Sequence, residues 1–332
     1  MTSDTSAATL RAPEAANVST SVMRVRVGLV GAGQWAATMH APLHTAGAET
    51  ELAGVWSARS DSAARLAAIH GVPAFRTFEE LLASSEAVDF AVPPAVQADL
   101  APKAADAGRA LILEKPLGTS LGQARKVAEA VRQNSVPNIV VLTKRFHKRT
   151  KSFLASALEL TAREPALGLR GTYLHGGFLQ DGFLTAGASQ GWRAELGALY
   201  DLGPHLLDLM DLAGGPVEAV RLDGSARYSA LTTFHAGGAV GHAALSGSVG
   251  IPAVHTTLEL FSEAGSLEYT TAGMDHSECW PELRREFAAA VRTGAPVTVD
   301  VERAVRIQAI VEAAALSLAE GRPVSVASVA GR

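Results

Sequence analysis

Two short motifs of this chain contain side chains that commonly donate or accept protons. The first motif is Glu114-Lys115-Pro116, and the second places Asp201 four residues before His205 in the segment DLGPH. Residues four apart lie on one face of a helix, so a helical course would bring the two together. A histidine titrates near pH ~6.5, and a lysine can stabilise charge that develops on an oxygen. These residue types therefore predict chemistry at an oxygen that gains or loses a proton.

Spacing alone favours a simpler interpretation of the second motif. Pro204 suits the first turn of a helix, so Asp201 would lie at the helix start and cap it. His205 would then be a packed core histidine. This alternative stays open at the level of the sequence.

A glycine turn supplies a second kind of chemistry. Gly31-Ala32-Gly33-Gln34-Trp35-Ala36 follows a predicted strand and opens a predicted helix. Gly31 permits the tight turn, Gly33 lets a pyrophosphate approach the backbone, and Ala36 allows the helix to pack closely on the strand. The helix N-terminus presents unsatisfied N–H groups to phosphates. We therefore predict a dinucleotide site here, with Gln34 and Trp35 at the cofactor.

The tip of the second predicted strand bears on the choice of dinucleotide. An acidic residue that would bind the adenosine ribose is expected there, but the strand ends Val55-Trp56-Ser57-Ala58-Arg59. A hydroxyl and a guanidinium suit a 2′-phosphate, because arginine forms bidentate pairs with phosphate. Ser57 and Arg59 thus predict a preference for NADP(H) over NAD(H), unless Arg59 is only a solvated residue at the helix start.

The predicted secondary structure that positions these residues differs between the two halves of the chain. In the first half strands alternate with helices, which predicts a parallel sheet built from βαβ units. After about residue 160 strands follow one another, which predicts a mostly antiparallel sheet. The fold class is an α/β Rossmann domain plus an α+β domain with an open sheet. The predicted strands are 23–30, 52–56, 87–92, 110–113, 138–142, 169–175, 217–222, 231–235, 240–246, 256–261 and 267–270. The predicted helices are 34–45, 60–70, 77–82, 96–107, 120–132, 203–212, 281–292 and 301–319, with Asp300 as the cap and Gly321 as the stop of the last.

The predicted organisation has three parts. Residues 1–22 are small and polar and form a disordered tail. Residues 23–145 form the dinucleotide-binding domain, and residues 146–332 form the domain for substrate binding and oligomerisation. The last long helix could pack back on the first domain.

Composition limits the classes of function. The 332 residues carry a formal net charge of −4, so no broad attraction to nucleic acid or an anionic membrane is expected. A single cysteine, Cys279, permits no internal disulfide and fits a reducing compartment. No apolar run is long enough to cross a membrane, and we expect a cytoplasmic protein. Neither Cys279 nor the trio Asp201, His205 and Asp208 is expected to hold a metal.

A basic run follows the last strand of the first half: Lys144-Arg145-Phe146-His147-Lys148-Arg149. The pattern favours a solvated helix face with Phe146 packed inward. An alternative is that the run receives the diphosphate of a nucleotide sugar.

Together, several motifs resemble the glucose–fructose oxidoreductase/inositol dehydrogenase family (Gfo/Idh/MocA). They are GAGQWA, a histidine at position 40 in the first helix, the turn VPP, the segment EKPLG, Gly-Trp-Arg at 191–193 and LGALYDLGPHLLDLMDLAGG. The resemblance covers nearly all of residues 23–325.

The resemblance implies roles for particular residues. The catalytic lysine and histidine of the family fall on Lys115 and His205, and the preceding acid falls on Asp201. The turn that flanks the nicotinamide falls on Pro93-Pro94, where proline replaces a threonine and removes a hydroxyl. Glu114 and Lys115 are expected at the cofactor as well. Apart from the resemblance, candidate substrate-pocket residues are Tyr173, His175, Trp192 and Arg193; Tyr173 and His175 lie on one face of a predicted strand, so a place in the core or in an interface is the alternative for these two.

The resemblance also implies the overall function. We expect an NAD(P)-dependent oxidoreductase that interconverts an alcohol and a ketone on a sugar, polyol or nucleotide-linked sugar. It would form a homodimer or homotetramer through the sheet of its C-terminal domain. Two alternatives remain: a dinucleotide-binding regulator without turnover, and a reductase of the same fold that acts on an imine or a tetrapyrrole-like molecule.

Overall fold

A computed structural model describes residues 24–179 and 197–331. The predicted tail, 1–22, and the candidate substrate residues Trp192 and Arg193 lie outside the described residues.

The first half of the chain forms a five-stranded parallel sheet in the order β2-β1-β3-β4-β5. Its central strands β3 and β4 are buried at every position, as expected for a sheet covered by helices on both faces. The strand order reverses between β1 and β3, and open α/β sheets bind ligands outside the carboxyl ends of the strands at such a point. The strands are β1 Val25–Val30, β2 Thr50–Trp56, β3 Ala87–Phe90, β4 Ala110–Leu113 and β5 Asn138–Val140.

Two helices of the first half begin at residues whose side chains cap them. Thr77 and Glu80 form the predicted capping box, and Ser120 accepts a hydrogen bond from the amide of Gln123. Pro94 takes a first-turn position, so its helix begins two residues before the predicted start. The elements are a π-helical turn Ala36–His40, α1 Ala41–Thr45, α2 Ser60–His70, α3 Phe78–Ser84, α4 Pro94–Asp106 and α5 Leu121–Asn134.

The second half contains a seven-stranded sheet in the order β11-β10-β6-β9-β8-β7-β12. Among its strand pairs in the described residues, only β6 and β9 run parallel. The predicted fold class, a Rossmann domain plus a mostly antiparallel sheet, is confirmed. The strands are β6 Ala166–Leu174, β7 Val217–Gly224, β8 Ser229–His235, β9 Val240–Ser246, β10 His255–Ser262, β11 Gly265–Thr270 and β12 Val324–Ser325.

Helices cover one face of the second sheet and connect it to the first. The long helix α9 begins at Asp300, which accepts from the amide of Arg303, and ends at Gly321 in the left-handed conformation, as predicted. Its side chain Glu302 forms an ion pair with Arg132 of α5, 2.8 Å apart. The helices are α6 Lys148–Arg163, α7 Gly203–Ala213, α8 Cys279–Thr293, α9 Val301–Glu320 and α10 Val326–Ala330, with 3-10 turns at Thr143–Phe146, Gly177–Leu179 and His276–Glu278.

Two main apolar cores lie under the two sheets. Leu283 and Phe287 of α8 pack into the core of the first sheet, although they come late in the chain. Ile307 and Ile310 of α9 belong to the core of the second sheet. Because α9 also contributes Val301 and Ala304 to the core of the first sheet, this helix connects the two cores. Within residues 24–179 and 197–331, no helix is both long and apolar enough to cross a membrane.

Candidate active site

The predicted functional segments meet at the carboxyl edge of the parallel sheet. The glycine turn follows β1, the Pro93-Pro94 turn follows β3, Glu114-Lys115 follows β4, and the turn that carries Lys144 follows β5. Because neighbouring parallel strands end at the same edge, these turns converge on one cleft.

Gly31 is required by the shape of the turn. Its φ angle is +116°, and a Cβ at this position would lie 2.3 Å from the carbonyl oxygen of Ala91. Its amide donates to the carbonyl of Trp56, 2.8 Å away, which ties the turn to the end of β2. At Gly33, by contrast, no protein atom lies within 4 Å of the place a Cβ would take. The open space over Gly33 fits the close approach of a pyrophosphate.

The side chains at the tip of β2 are available to a ligand. The hydroxyl of half-buried Ser57 accepts a hydrogen bond from the amide of Arg59, 3.3 Å away. The exposed guanidinium of Arg59 makes no ion pair with any described residue. Ser57 and Arg59 thus offer a hydroxyl and an exposed cation at the strand end where an adenosine ribose lies in this fold.

Lys115 is held in place by Asp201. Its Nζ lies 2.7 Å from Oδ1 of Asp201 and 2.9 Å from the Asp201 backbone oxygen. The Lys115-Pro116 peptide bond is cis. Asp201 does not cap α7: residues 197–201 are already helical, and the cap position of α7 falls on Leu202, which makes no side-chain cap. The capping interpretation of Asp201 is therefore wrong, because its carboxylate is used to neutralise and orient a lysine from the other sheet.

The backbone before Lys115 is fixed by a side-chain amide. Gln97 of α4 is buried; its Oε1 accepts from the amide of Glu114, and its Nε2 donates to the Glu114 carbonyl, each at 2.8 Å. Gln97 thus binds both the N–H and the carbonyl of Glu114, the residue that precedes Lys115.

His205 lies in the first turn of α7 and is only 7% exposed. Its Nδ1 is buried and has no hydrogen-bond partner among residues 24–179 and 197–331, and its ring centroid lies 6.0 Å from that of Tyr173. Burial, together with the positive charges of Lys144 and Lys115, lowers the pKa of His205 well below its ordinary value. The imidazole is therefore neutral at pH 7, and the expectation that it titrates near neutrality does not apply in this site.

Lys144 was not recognised from the sequence as a site residue. It lies in the 3-10 turn after β5, is 3% exposed, and places Nζ 3.8 Å from the centroid of the Tyr173 ring. Burial, reinforced by the charge of Lys115, lowers its pKa to about 7. A cation over an aromatic face is stabilised by the ring quadrupole. Its place at the carboxyl edge of the sheet, like that of Lys115 after β4, could have marked it as a candidate, although no local pattern indicates its burial against Tyr173.

The basic run is a solvated helix face only at Lys148 and Arg149, which begin α6 and are exposed; the residues before them are not. Arg145 forms an ion pair with Asp208 at 3.0 Å, and Arg303 binds the same carboxylate at 2.7 Å. His147 is buried, and of the run's lysines it is Lys148 that stays exposed. The prediction of a solvated face fails for the residues before Lys148 because the turn after β5 inserts these side chains between the two sheets. Phe146 packs inward as predicted.

Tyr173 and His175 lie together beside His205. Their ring centroids are 6.0 Å apart, and Tyr173 is buried whereas His175 is half-buried. Burial lowers the pKa of His175 and raises that of Tyr173. Asp208, with its two arginines, is separate from this group, and no cluster of three His, Cys, Asp or Glu side chains in the described ranges could hold a metal ion.

Comparison with known proteins identifies the family. Residues 25–142 match the model of an oxidoreductase family with an NAD-binding Rossmann fold, GFO_IDH_MocA. Over these residues the chain is similar to the Gfo/Idh/MocA family. The resemblance drawn from the sequence motifs is confirmed.

Three relatives extend the comparison. A levoglucosan dehydrogenase of Pseudarthrobacter phenanthrenivorans is 30% identical over 140 residues, which cover 40% of this chain and 34% of that protein. The match thus spans about a third of that relative's length. GenD2 from gentamicin A biosynthesis, solved in complex with NAD, has a TM-score of 0.81 at 24% identity, over 92% of this chain and 97% of GenD2. The WlbA dehydrogenase from Bordetella pertussis, solved with NADH and UDP-GlcNAcA, has a TM-score of 0.79 at 19% identity, over 91% and 99%. At these identities the two structures support the fold.

Proposed function

We propose that this protein is an NAD(P)-dependent oxidoreductase that interconverts an alcohol and a ketone on a sugar, polyol or nucleotide-linked sugar. The observation that carries the proposal is the ion pair of Lys115 with Asp201, placed beside buried His205 at the edge that bears the glycine turn. A cleft with one cation for an oxygen and one neutral base suits removal of a hydroxyl proton.

His205, Lys115 and Asp201 each have a separate role in the proposed reaction. A bound nicotinamide would accept or give the hydride, which is the chemistry that the protein itself lacks. In the oxidative direction, neutral His205 takes the proton from the reacting hydroxyl, and its low pKa makes it release that proton readily. Lys115 donates a hydrogen bond to the reacting oxygen and stabilises its negative charge. Asp201 fixes the direction of the Lys115 ammonium through the 2.7 Å contact.

Lys144 adds a second group to this scheme. With a pKa of about 7 it is divided between its charged and neutral forms near neutrality, the role that the sequence suggested for His205. We place its ammonium against the substrate, together with Tyr173 and His175. Trp192 and Arg193 remain candidate substrate residues.

The residues at the cofactor edge fit a dinucleotide. Gly31, Gly33, Gln34 and Trp35 would hold the pyrophosphate, with Pro93, Pro94 and Glu114 near the nicotinamide. We propose that NADP(H) is preferred, because Ser57 and unpaired Arg59 offer a hydroxyl and a cation to a 2′-phosphate. GenD2 and WlbA were solved with NAD and NADH, so NAD(H) is the competing cofactor.

The substrate class is proposed from the relatives and from the polar side chains of the cleft. Levoglucosan is an anhydrosugar and the WlbA complex holds a nucleotide-linked sugar. For this chain we propose a small polyhydroxylated substrate of one of these kinds, whose hydroxyls pair with the lysines and histidines of the cleft.

The open face of the second sheet is the proposed surface for self-association into a homodimer or homotetramer. It carries half-exposed and exposed side chains such as Thr232, His242 and the ion pair Arg170–Glu259, opposite the helices. We also propose a cytoplasmic location, in keeping with the single buried thiol of Cys279.

The test is a titration with NADPH and NADH followed by a turnover screen against keto-sugars, inositols, anhydrosugars and nucleotide sugars. The proposal predicts binding of a dinucleotide and turnover of at least one compound. Tight dinucleotide binding without turnover of any compound would instead identify a non-catalytic regulator.

A further inference from the structure

A chain of buried charged side chains runs beneath the active-site cleft. His40, which lies in the π-helical turn after the glycine motif, is completely buried. Its Nδ1 lies 2.9 Å and 3.0 Å from the two carboxylate oxygens of Asp89, and its Nε2 lies 3.1 Å from Oε1 of Glu114. A buried histidine with a carboxylate at each nitrogen is unusual, because charged groups rarely enter a protein core unless they are paired.

Two carboxylates at its two nitrogens favour an imidazolium at His40. A neutral imidazole has one N–H and one lone pair, so one of its nitrogens would set a lone pair against a carboxylate. The imidazolium donates to both Asp89 and Glu114. Burial opposes the charge, but the two carboxylates raise the pKa of His40 to about 10. Although burial would raise the pKa of Asp89, His40 and His44 lower it to about 2.

The Glu114 side chain forms hydrogen bonds to both the glycine turn and the loop after β4. Its Oε1 accepts from the indole Nε1 of Trp35 at 2.8 Å, and its Oε2 accepts from the amide of Lys115 at 3.1 Å. Trp35 belongs to the glycine turn and Lys115 to the loop after β4. A single carboxylate, held from below by His40, therefore joins the two segments that must be aligned for hydride and proton transfer.

We propose that His40 is a positioning residue: through Glu114 it fixes Lys115 relative to Trp35 and so aligns the proton-handling group with the cofactor turn. Three donors converge on the Glu114 carboxylate, and His40 is the one that comes from the buried side. Without His40, the Glu114 carboxylate would be bonded only to the Trp35 indole and the Lys115 amide. The carboxylate could then shift, and the distance between these two groups would no longer be fixed. Displacements of about 1 Å at a reacting group can cost about 100-fold in rate.

His44 provides a matched control on the same stretch of helix. It is buried like His40; its Nε2 lies 3.0 Å from Asp89 and its Nδ1 lies 3.1 Å from the hydroxyl of Thr50. It makes no contact with Glu114. In both histidines, substitution by asparagine keeps a donor near Nδ1 and removes the group at Nε2. The variant His40→Asn therefore loses the bond to Glu114, and His44→Asn loses one bond to Asp89.

The experiment compares the two variants in the full chain. The first readout is the indole N–H resonance of Trp35 in a two-dimensional nitrogen–proton NMR spectrum, assigned among the 4 tryptophans by Trp35→Phe. We expect His40→Asn to shift this resonance and His44→Asn to leave it in place. The second readout is the split between kcat and KM. We expect kcat of His40→Asn to fall about 10- to 100-fold with KM for substrate little changed, and His44→Asn to remain near wild type.

A third variant separates the loss of the bond to Glu114 from a general loss of folding. In His40→Gln the amide reaches the position of Nε2 and can donate to Glu114 again, so the resonance and most of kcat should return. Equal losses of thermal stability in both asparagine variants, with an unmoved Trp35 resonance and equal kcat, would show that His40 is only a structural residue. The rate readout rests on the proposed function, whereas the resonance does not require a substrate; a wild-type protein without turnover would therefore refute the function and leave the positioning test intact.

Discussion

Replacement of Lys144 by methionine should stabilise the protein near pH 6 much more than near pH 9. Methionine keeps an unbranched apolar chain of similar length against Tyr173 but removes the buried ammonium. The pKa of this group falls from 10.5 to about 7 on folding because of burial and the nearby charge of Lys115. The folded protein therefore gives up the proton at a lower pH than the unfolded chain.

The sign and size of the effect follow from linkage. Between pH 7 and 10.5 the unfolded chain binds more protons at this group than the folded one, so wild-type stability rises with pH in that window. One pKa unit corresponds to about 1.4 kcal/mol, so a shift of this size costs the folded wild type about 5 kcal/mol below pH 7. Raising the pH from about 6 to about 9 returns about 3 kcal/mol of that cost. The lost cation–π contact, about 0.5–2 kcal/mol, reduces the gain from the substitution.

The assay is urea unfolding of wild type and Lys144→Met near pH 6 and near pH 9, without added cofactor. The advantage of the variant should shrink by about 3 kcal/mol between the two pH values. Lys148→Met is the control, because it makes the same change of side chain in the same basic run at a position that is 80% exposed. An unchanged difference between wild type and Lys144→Met at the two pH values would refute the buried, titrating lysine.

Two further substitutions test the cofactor turn and the choice of cofactor. Gly31→Ala should lower the melting temperature and abolish dinucleotide binding, because its Cβ would lie 2.3 Å from the Ala91 carbonyl at a φ of +116°; calorimetry and fluorescence titration check this, and wild-type affinity would count against the turn geometry. Arg59→Ala should weaken NADPH binding about 10- to 100-fold, the worth of a hydrogen bond to a charged group, and leave NADH binding unchanged. Equal effects on both cofactors, or tighter NADH binding by wild type, would contradict the proposed 2′-phosphate contact.

Local signals along the chain predicted the scaffold well. The helix Ser60–His70 and the strands Ala110–Leu113 and Val240–Ser246 begin and end where the sequence predicted. These segments have marked ends, as at Gly71, which adopts the left-handed conformation that stops the helix before it. The glycine turn and the Lys115 loop could be placed for the same reason, since each directly follows a buried strand.

The buried charges could not be predicted from local pattern. The run that contains Lys144 is as polar as any exposed helix face, and its burial depends on the second sheet, which supplies Tyr173 from residues far along the chain. Asp201 has the spacing of a helix cap, yet its partner is Lys115. His40 gains its carboxylates from Asp89 and Glu114 on two different strand ends. In each case the deciding interaction is between distant segments, which periodicity and capping rules do not describe.

We propose that Lys115, Asp201 and His205 handle the proton of a hydride-transfer reaction. The most direct measurement follows reduced nicotinamide by absorbance while wild type and His205→Asn are supplied with dinucleotide and the panel of sugars, polyols and nucleotide sugars. Loss of a general base typically costs about 10²–10⁴-fold in rate; we therefore predict turnover by wild type, a loss of that size in the variant, and equal dinucleotide affinity in both. A variant that turns over at the wild-type rate, or a wild type that binds the dinucleotide and turns over nothing, would contradict this proposal.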